Sequence, residues 1–186
     1  MFEADLVRRA RTGEEAAWHE IVDRYGAHLY RLAFSLVGNA SEAEDVLQET
    51  FAGALRNLSS FEGRSSLKTW LSRILMRQAA RSHRSRSRHK AAPLGGYSGT
   101  SEEPATDVPA GPVQNRSDTR MDVMAVLETL SPEHREVILL RELQGMTYEE
   151  IAEVLGVPRG TVESRLFRAR QILKERLKDY GEPVRE

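Results

Sequence analysis

The side chains in this sequence best equipped for chemistry are the arginines of one short stretch, "GTVESRLFRAR" (160–170), together with Arg159 just before it. Guanidinium groups grip phosphate oxygens and the acceptor edge of guanine, and an apolar group beside them can touch a thymine methyl. With Val162 at the centre of a buried face, helical steps of about 100° gather Leu166, Ala169, Leu173 and Leu177 around it. The same steps send Ser164, Phe167, Arg168 and Gln171 to the opposite side, with Arg165 and Arg170 on the flanks. An aromatic ring sharing a face with Arg168 and Gln171 suits a base edge; the alternative is a solvated helix with a partly covered Phe167. Glu163 is the odd member. It can accept a hydrogen bond from a cytosine amino group, or pair with Arg159 one turn earlier, which contributes only ~0.2–0.5 kcal/mol.

Other chemistries find little support. The chain has no cysteine, so it can form no disulfide, thiolate zinc site or redox switch. Its histidines, His19, His28, His83, His89 and His134, show no metal-ligand spacing, and no glycine-rich phosphate loop or nucleophile motif is present. No catalytic residue, metal, cofactor or small-molecule substrate is therefore expected, and an enzyme is the weakest class. No apolar run is long enough to span a bilayer, and "MFEADLVRRARTGEE" lacks the apolar core of a secretion signal, which points to the cytoplasm.

The net charge of −1 conceals a segregated distribution. Residues 64–90 hold nine Lys or Arg and no acid, whereas 91–119 hold four acids and one Arg. Helical spacing organises what precedes and follows. Thr12 with Glu15 fits a capping box that opens a long helix through Trp18, Ile21, Val22, Tyr25, Leu29, Ala33 and Leu36 to a stop at Gly38-Asn39. Ser41 with Glu44 repeats the pattern before Ala43, Leu47, Phe51, Ala54 and Leu58. A third helix starts near Ser65, with Leu67, Trp70, Leu71, Ile74, Leu75 and Ala79 as its stripe; the apolar pattern is lost in "RSHRSRSRHK".

Residues 91–119 contain four of the seven prolines and no helical period, which reads as a flexible linker. Such a coil spans roughly 30 Å on average and can stretch to set two modules ~70 Å, or two turns of duplex, apart; simple slack is the alternative. Met121, Met124, Leu127 and Leu130 then mark a short helix, and Ser131-Pro132 opens another that closes at Gly145. Thr147 with Glu150 forms a further capping box in "TYEEIAEVLG", and Gly156-Val157-Pro158 breaks the chain before the arginine-bearing helix. Helix, short glycine-bearing turn, helix is a helix-turn-helix. The expected fold is all-α: two small helical modules, 1–90 and 120–180, joined by the linker 91–119.

"LSPEHREVILLRELQGMTYEEIAEVLGVPRGTVESRLFRARQILKERL" closely resembles region 4 of the bacterial extracytoplasmic-function (group 4) sigma factors, the small specificity subunits of RNA polymerase. "AEDVLQETF" and "FEGRSSLKTWLSRI" resemble the polymerase-docking and promoter-opening segments of region 2 in the same family. The resemblance covers most of the chain outside the linker, in the family's order. It implies that Asp45, Gln48 and Glu49 dock on core polymerase; helical spacing places Asp45, Glu49, Ala52 and Arg56 opposite the Leu47 stripe, although early acids can also simply complement the helix dipole.

The same resemblance assigns capture of the −10 element to the loop Phe61–Ser66, including Arg64 and Ser65, and to Lys68, Trp70, Arg73, Arg77, Arg81 and Arg84 on the following helix. Cations on phosphate and flat groups under bases are how displaced single strand is held. Trp70 belongs equally to the apolar stripe, where core packing explains it. Arg77 and Arg81 stand where many relatives have Asn and Asp, and Arg64 where an acid is common, so the usual −10 preference does not carry over. In region 4 the resemblance implies base readout by Ser164, Phe167 and Arg168, with Arg159, Thr161 and Arg165 on phosphate; Glu163 occupies a place often held by a base. The partners implied are core RNA polymerase, promoter DNA and an anti-sigma factor, commonly membrane-anchored. A helix-turn-helix regulator acting without polymerase is the competing class, and a polymerase-docking helix is what separates the two.

Overall fold

The computed structural model describes residues 2–91 and 124–178, and all their regular elements are helical. The first module comprises α1 (Phe2–Arg11), α2 (Glu15–Val37), α3 (Ala40–Asn57), a 3-10 turn (Leu58–Ser60) and α4 (Leu67–Ala91). The second comprises a single turn α5 (124–128), α6 (Pro132–Ile138) running into a π turn (Leu139–Leu143), α7 (Tyr148–Leu155) and α8 (Arg159–Lys178). The expected linker and Met121 lie outside the described residues, apart from residue 91, which ends α4.

Helix α1 precedes the first helix expected from periodicity, and its presence corrects the first capping box. Its ends suit the helix dipole, with Glu3 and Asp5 in the first turn and Arg8, Arg9 and Arg11 in the last. Leu6, Val7 and Ala10 seat it on the core. Thr12 finishes this helix instead of opening the next: its hydroxyl donates to the Arg9 carbonyl at 2.8 Å, and Gly13 turns the chain at φ +85°. Glu14 is the N-cap of α2, with its carboxylate held by Arg9 at 2.9 Å. The second box is displaced in the same way. Asn39, not Ser41, caps α3, accepting the Glu42 N–H at 2.8 Å while its amide donates to the Glu42 carboxylate at 2.9 Å. α4 runs on as a helix to Ala91, beyond the loss of its apolar stripe.

Ile21, Leu29, Leu32 and Ala33 of α2 meet Ala43, Val46 and Ala54 of α3 and Leu67, Leu71 and Leu75 of α4 in the first core. Val137, Leu140, Met146, Ile151, Val162, Leu166 and Ala169 form the second. These apolar groups make one cluster, because α7 packs directly on α4 and the π turn on α2. The π turn widens the end of α6, and Gly145 closes it at φ +66°. This places buried Gln144 at the junction, where its side-chain amide donates to the His28 carbonyl of α2 at 2.9 Å and its backbone carbonyl accepts Lys68 Nζ of α4.

Candidate nucleic-acid and polymerase interfaces

The helix-turn-helix is built by local chemistry. The Thr147 hydroxyl accepts the Glu150 N–H at 3.2 Å, and the Glu150 carboxylate accepts the Thr147 N–H at 2.8 Å, so two of the free donors at the start of α7 are satisfied reciprocally. Gly156, at φ +66°, ends α7 with its N–H on the Ala152 carbonyl. The Pro158 carbonyl then accepts the first N–H groups of α8, from Thr161 at 2.9 Å and Val162 at 3.3 Å.

Loss of the Thr147 hydroxyl by Thr147→Ala is expected to cost about 1 kcal/mol, read as a fall in thermal midpoint. The box also makes stability depend on pH. The Thr147 N–H, followed by the hydroxyls of Thr147 and Thr69 and the charge of Lys68, holds the Glu150 carboxyl below its ordinary value against the opposing effect of burial. Its folded value lies below its unfolded one. The contribution is therefore complete above the unfolded value near 4.5 and is lost as pH falls through the folded value. Glu150→Gln should flatten this acid dependence in denaturant titrations.

Helix α8 divides as its periodicity predicts. Val162, Leu166 and Ala169 are buried, Leu173 is half-buried, and Ser164, Phe167 and Arg168 are exposed, Phe167 at 65%. Leu177, at the far end of the stripe, is exposed. Arg168 makes no ion pair among the described residues. Its neighbours are engaged: Arg159 Nε donates to Glu163 at 2.9 Å and its Nη1 lies 3.0 Å from Glu149, while Ser164 Oγ donates to the Thr161 carbonyl at 3.0 Å. Arg165, the least exposed of these arginines, reaches back to Glu133 of α6 at 2.8 Å. Burial raises the nearby Glu136 carboxyl, with Arg165 acting in the opposite direction.

On α3, Asp45, Gln48, Glu49 and Arg56 are exposed on one side, with Arg56 and Glu49 4.0 Å apart. Leu55 lies among them at 52% exposure. It is an addition to the residues expected from sequence, and Gln48, Ala52 and Leu55 at i, i+4 and i+7 share a stripe.

The loop and face of α4 divide into covered and open parts. Phe61 is buried, its ring 5.2 Å from that of half-buried Trp70. Arg64 is exposed and paired with Glu62, and Ser65 is half-buried. Lys68 bonds the Gln144 carbonyl just after the π turn, Thr69 donates to Glu150 at 3.2 Å, and Arg73 pairs with Glu153, so α7 and the end of the π turn cover the first two turns. Arg77, Arg81 and Arg84 are exposed along a cavity of about 530 Å³, whose other wall contains Glu136, Glu153, Val154 and Leu155.

Comparison with known proteins matches the family models described as Sigma-70 region 2 over residues 21–89 and Sigma-70, region 4 over residues 120–173. The sigma-E factor of Haemophilus influenzae, an ECF RNA polymerase sigma factor, is 32% identical over 92% of this chain and 93% of its own length. The chain belongs to the extracytoplasmic-function sigma factors. The ECF factor SigE of Mycolicibacterium smegmatis is 37% identical over 91% of this chain, which spans 66% of that longer relative. Among solved structures, CnrH, in complex with the cytosolic domain of CnrY, superposes with a TM-score of 0.73 at 27% identity, covering 97% of this chain and 99% of that one. The sigma factor RpoE of Bartonella quintana, in complex with the anti-sigma factor NepR, gives 0.68 at 31% identity, with 86% and 96% covered. The two sigma modules, all-helical and in the family's order, are those of a promoter-directing factor, and a polymerase-independent regulator is not favoured.

Proposed function

We propose that this chain binds core RNA polymerase through the exposed α3 face, Asp45, Gln48, Glu49 and Arg56 around Leu55, and carries two separate DNA-reading surfaces. Residues 120–180 take the −35 element, with Phe167 and Arg168 on base edges, Ser164 beside them, and Arg159, Thr161 and Arg165 on phosphate. Residues 1–90 take the −10 element and hold the opened strand through loop 61–66 and the basic face of α4: Arg64, Ser65, Lys68, Arg73, Arg77, Arg81 and Arg84, with the Phe61–Trp70 pair shaping the floor. The observation that carries this reading is exposed Phe167 beside Arg168, which has no ion pair among the described residues, on the second helix of the helix-turn-helix, because burial does not explain an aromatic there.

Phosphate attraction supplies affinity and base edges supply selectivity, so Arg64, Arg77 and Arg81 strengthen the first without fixing the second. The chain works in the cytoplasm and is held by an anti-sigma factor until released. RpoE of Bartonella quintana supports that partner, having been solved with such a factor.

Run-off transcription tests the assignment. Purified chain plus core enzyme should yield a discrete transcript from a promoter selected by that mixture, and neither component alone should do so. Charge reversal at Asp45 and Glu49 should abolish the transcript while leaving duplex binding by the isolated chain intact. Tight specific duplex binding without polymerase-dependent transcription would overturn the reading.

A further inference from the structure

Helix α1 contributes no residue to the proposed DNA or polymerase surfaces, yet its two ends grip the chain on either side of loop 61–66. At its start, Glu3 Oε1 accepts the Leu67 N–H, the first of α4, at 2.7 Å, across 64 positions of sequence. Its other oxygen accepts the Tyr25 hydroxyl of α2 at 2.9 Å. Near its end, Arg11 Nε donates to the Leu58 carbonyl of the 3-10 turn at 3.0 Å, the same oxygen that accepts the Phe61 N–H at 3.2 Å.

The Glu3 contact supplies something α4 lacks. A helix start exposes free N–H groups and favours negative charge, but α4 has no acid in its first turn and carries Lys68 there. Ser66 satisfies the Thr69 N–H at 3.1 Å, and the Leu67 N–H is left for a partner from elsewhere. The Glu3 carboxylate fills that place. Tyr25 donates to the same carboxylate, and burial together with this hydrogen bond pushes the Tyr25 hydroxyl up to about 12.

Glu3 and Arg11 lie eight residues apart on one helix, which sets a spacing of ~12 Å at ~1.5 Å per residue. Leu6, Val7 and Ala10 fix that helix to the module. The loop between the two anchors has no regular structure and turns at Gly63 with φ +71°. Its shape therefore depends on where its ends are held.

We propose that Glu3 and Arg11 are positioning residues for promoter opening, with α1 acting as a strut of fixed length that sets the two ends of loop 61–66. This rests on the reading that the loop captures the unpaired −10 strand. Apolar contacts stabilise the module wherever they lie; the two polar anchors act specifically at the loop's ends.

The test uses the full chain with core polymerase on a duplex promoter selected by the wild-type mixture. Open complex is read by permanganate oxidation of unpaired thymines, core affinity by titration, and −35 binding on a duplex fragment. Glu3→Ala and Arg11→Ala should each lower open-complex formation about tenfold while changing core and −35 affinity less than twofold. Glu3→Gln, which keeps the shape and one acceptor but loses the charge, should fall between, and Glu3→Asp should not rescue because it is one methylene too short. Should an alanine variant fail to fold, Glu3→Gln and Tyr25→Phe carry the test, each with a partial loss. Opening at the wild-type level, or loss of core affinity in parallel with opening, would overturn the strut. Arg64→Ala/Ser65→Ala separates the two levels: if it opens promoters normally, the loop reading fails and takes the strut with it; if it is impaired while the α1 variants are normal, only the strut fails.

Discussion

The double substitution Gln144→Ala/Glu153→Arg is expected to part the two modules. Gln144 is buried and hydrogen-bonded to the His28 carbonyl, so its truncation removes a cross-module bond and leaves a carbonyl without that donor, at a cost of about 1–3 kcal/mol. The Arg73–Glu153 pair is partly exposed, with side chains 30% and 39% accessible, and solvent screening limits it to about 1 kcal/mol or less. Reversing Glu153 replaces that attraction with repulsion from Arg73 and from the arginines along the adjoining cavity. Together these changes amount to about 1–4 kcal/mol, or roughly 5–900-fold in the ratio of closed to parted molecules. Because the chain has no cysteine, Glu44→Cys and Gln171→Cys, both at exposed positions, give a clean labelled pair. Energy transfer between the labels should fall in the double variant, and the free chain should bind single-stranded DNA more tightly. Unchanged transfer would mean that the apolar contacts alone hold the modules together.

The physical reason for expecting tighter binding lies in what the contact covers. Lys68, Thr69 and Arg73 are the first residues of the basic α4 face, and each is engaged by the second module. Phosphate cannot reach them without displacing a carbonyl or a carboxylate. The closed arrangement and the proposed −10 surface therefore compete for the same groups, and the closing contacts must be lost before all of α4 can work.

Much of the second module was legible because its information is local. The Thr147–Glu150 box spans four residues, the Gly156 turn one, and the division of α8 needs only a step angle. The first module shows where local rules compete. Thr12 and Ser41 each satisfy the capping pattern, but Thr12 is spent completing α1 and Asn39 captures the α3 start first. α1 has no such signal because its stripe is three apolar residues among charges, too short for periodicity to register. The cross-module bonds, Arg165 on Glu133 and Glu3 on Leu67 had no local signal, since each joins groups tens of residues apart whose types are ordinary on any helix surface.

Arg168→Ala is expected to weaken promoter binding through the −35 element by about 1–3 kcal/mol, or roughly 5–150-fold, and to relax selectivity at one base pair. A guanidinium with no ion-pair partner among the described residues gives up none of them on binding, so its contribution is made to DNA. Phe167→Ala should give a smaller loss confined to a position where thymine is preferred, because a methyl contact has no counterpart on cytosine. Glu163→Ala is the informative companion. In the free protein Glu163 accepts from Arg159, which also reaches Glu149, so removing it leaves Arg159 with one acid in place of two and deletes a negative charge near phosphate. Tighter binding to all sequences alike would mean that Glu163 only restrains Arg159. Weaker binding at a single cytosine-bearing position would mean that it reads that base. Measured across a library of single-base −35 variants, the three substitutions give different patterns: a position-specific loss for Arg168, a thymine-specific loss for Phe167, and for Glu163 either a uniform gain or a cytosine-specific loss.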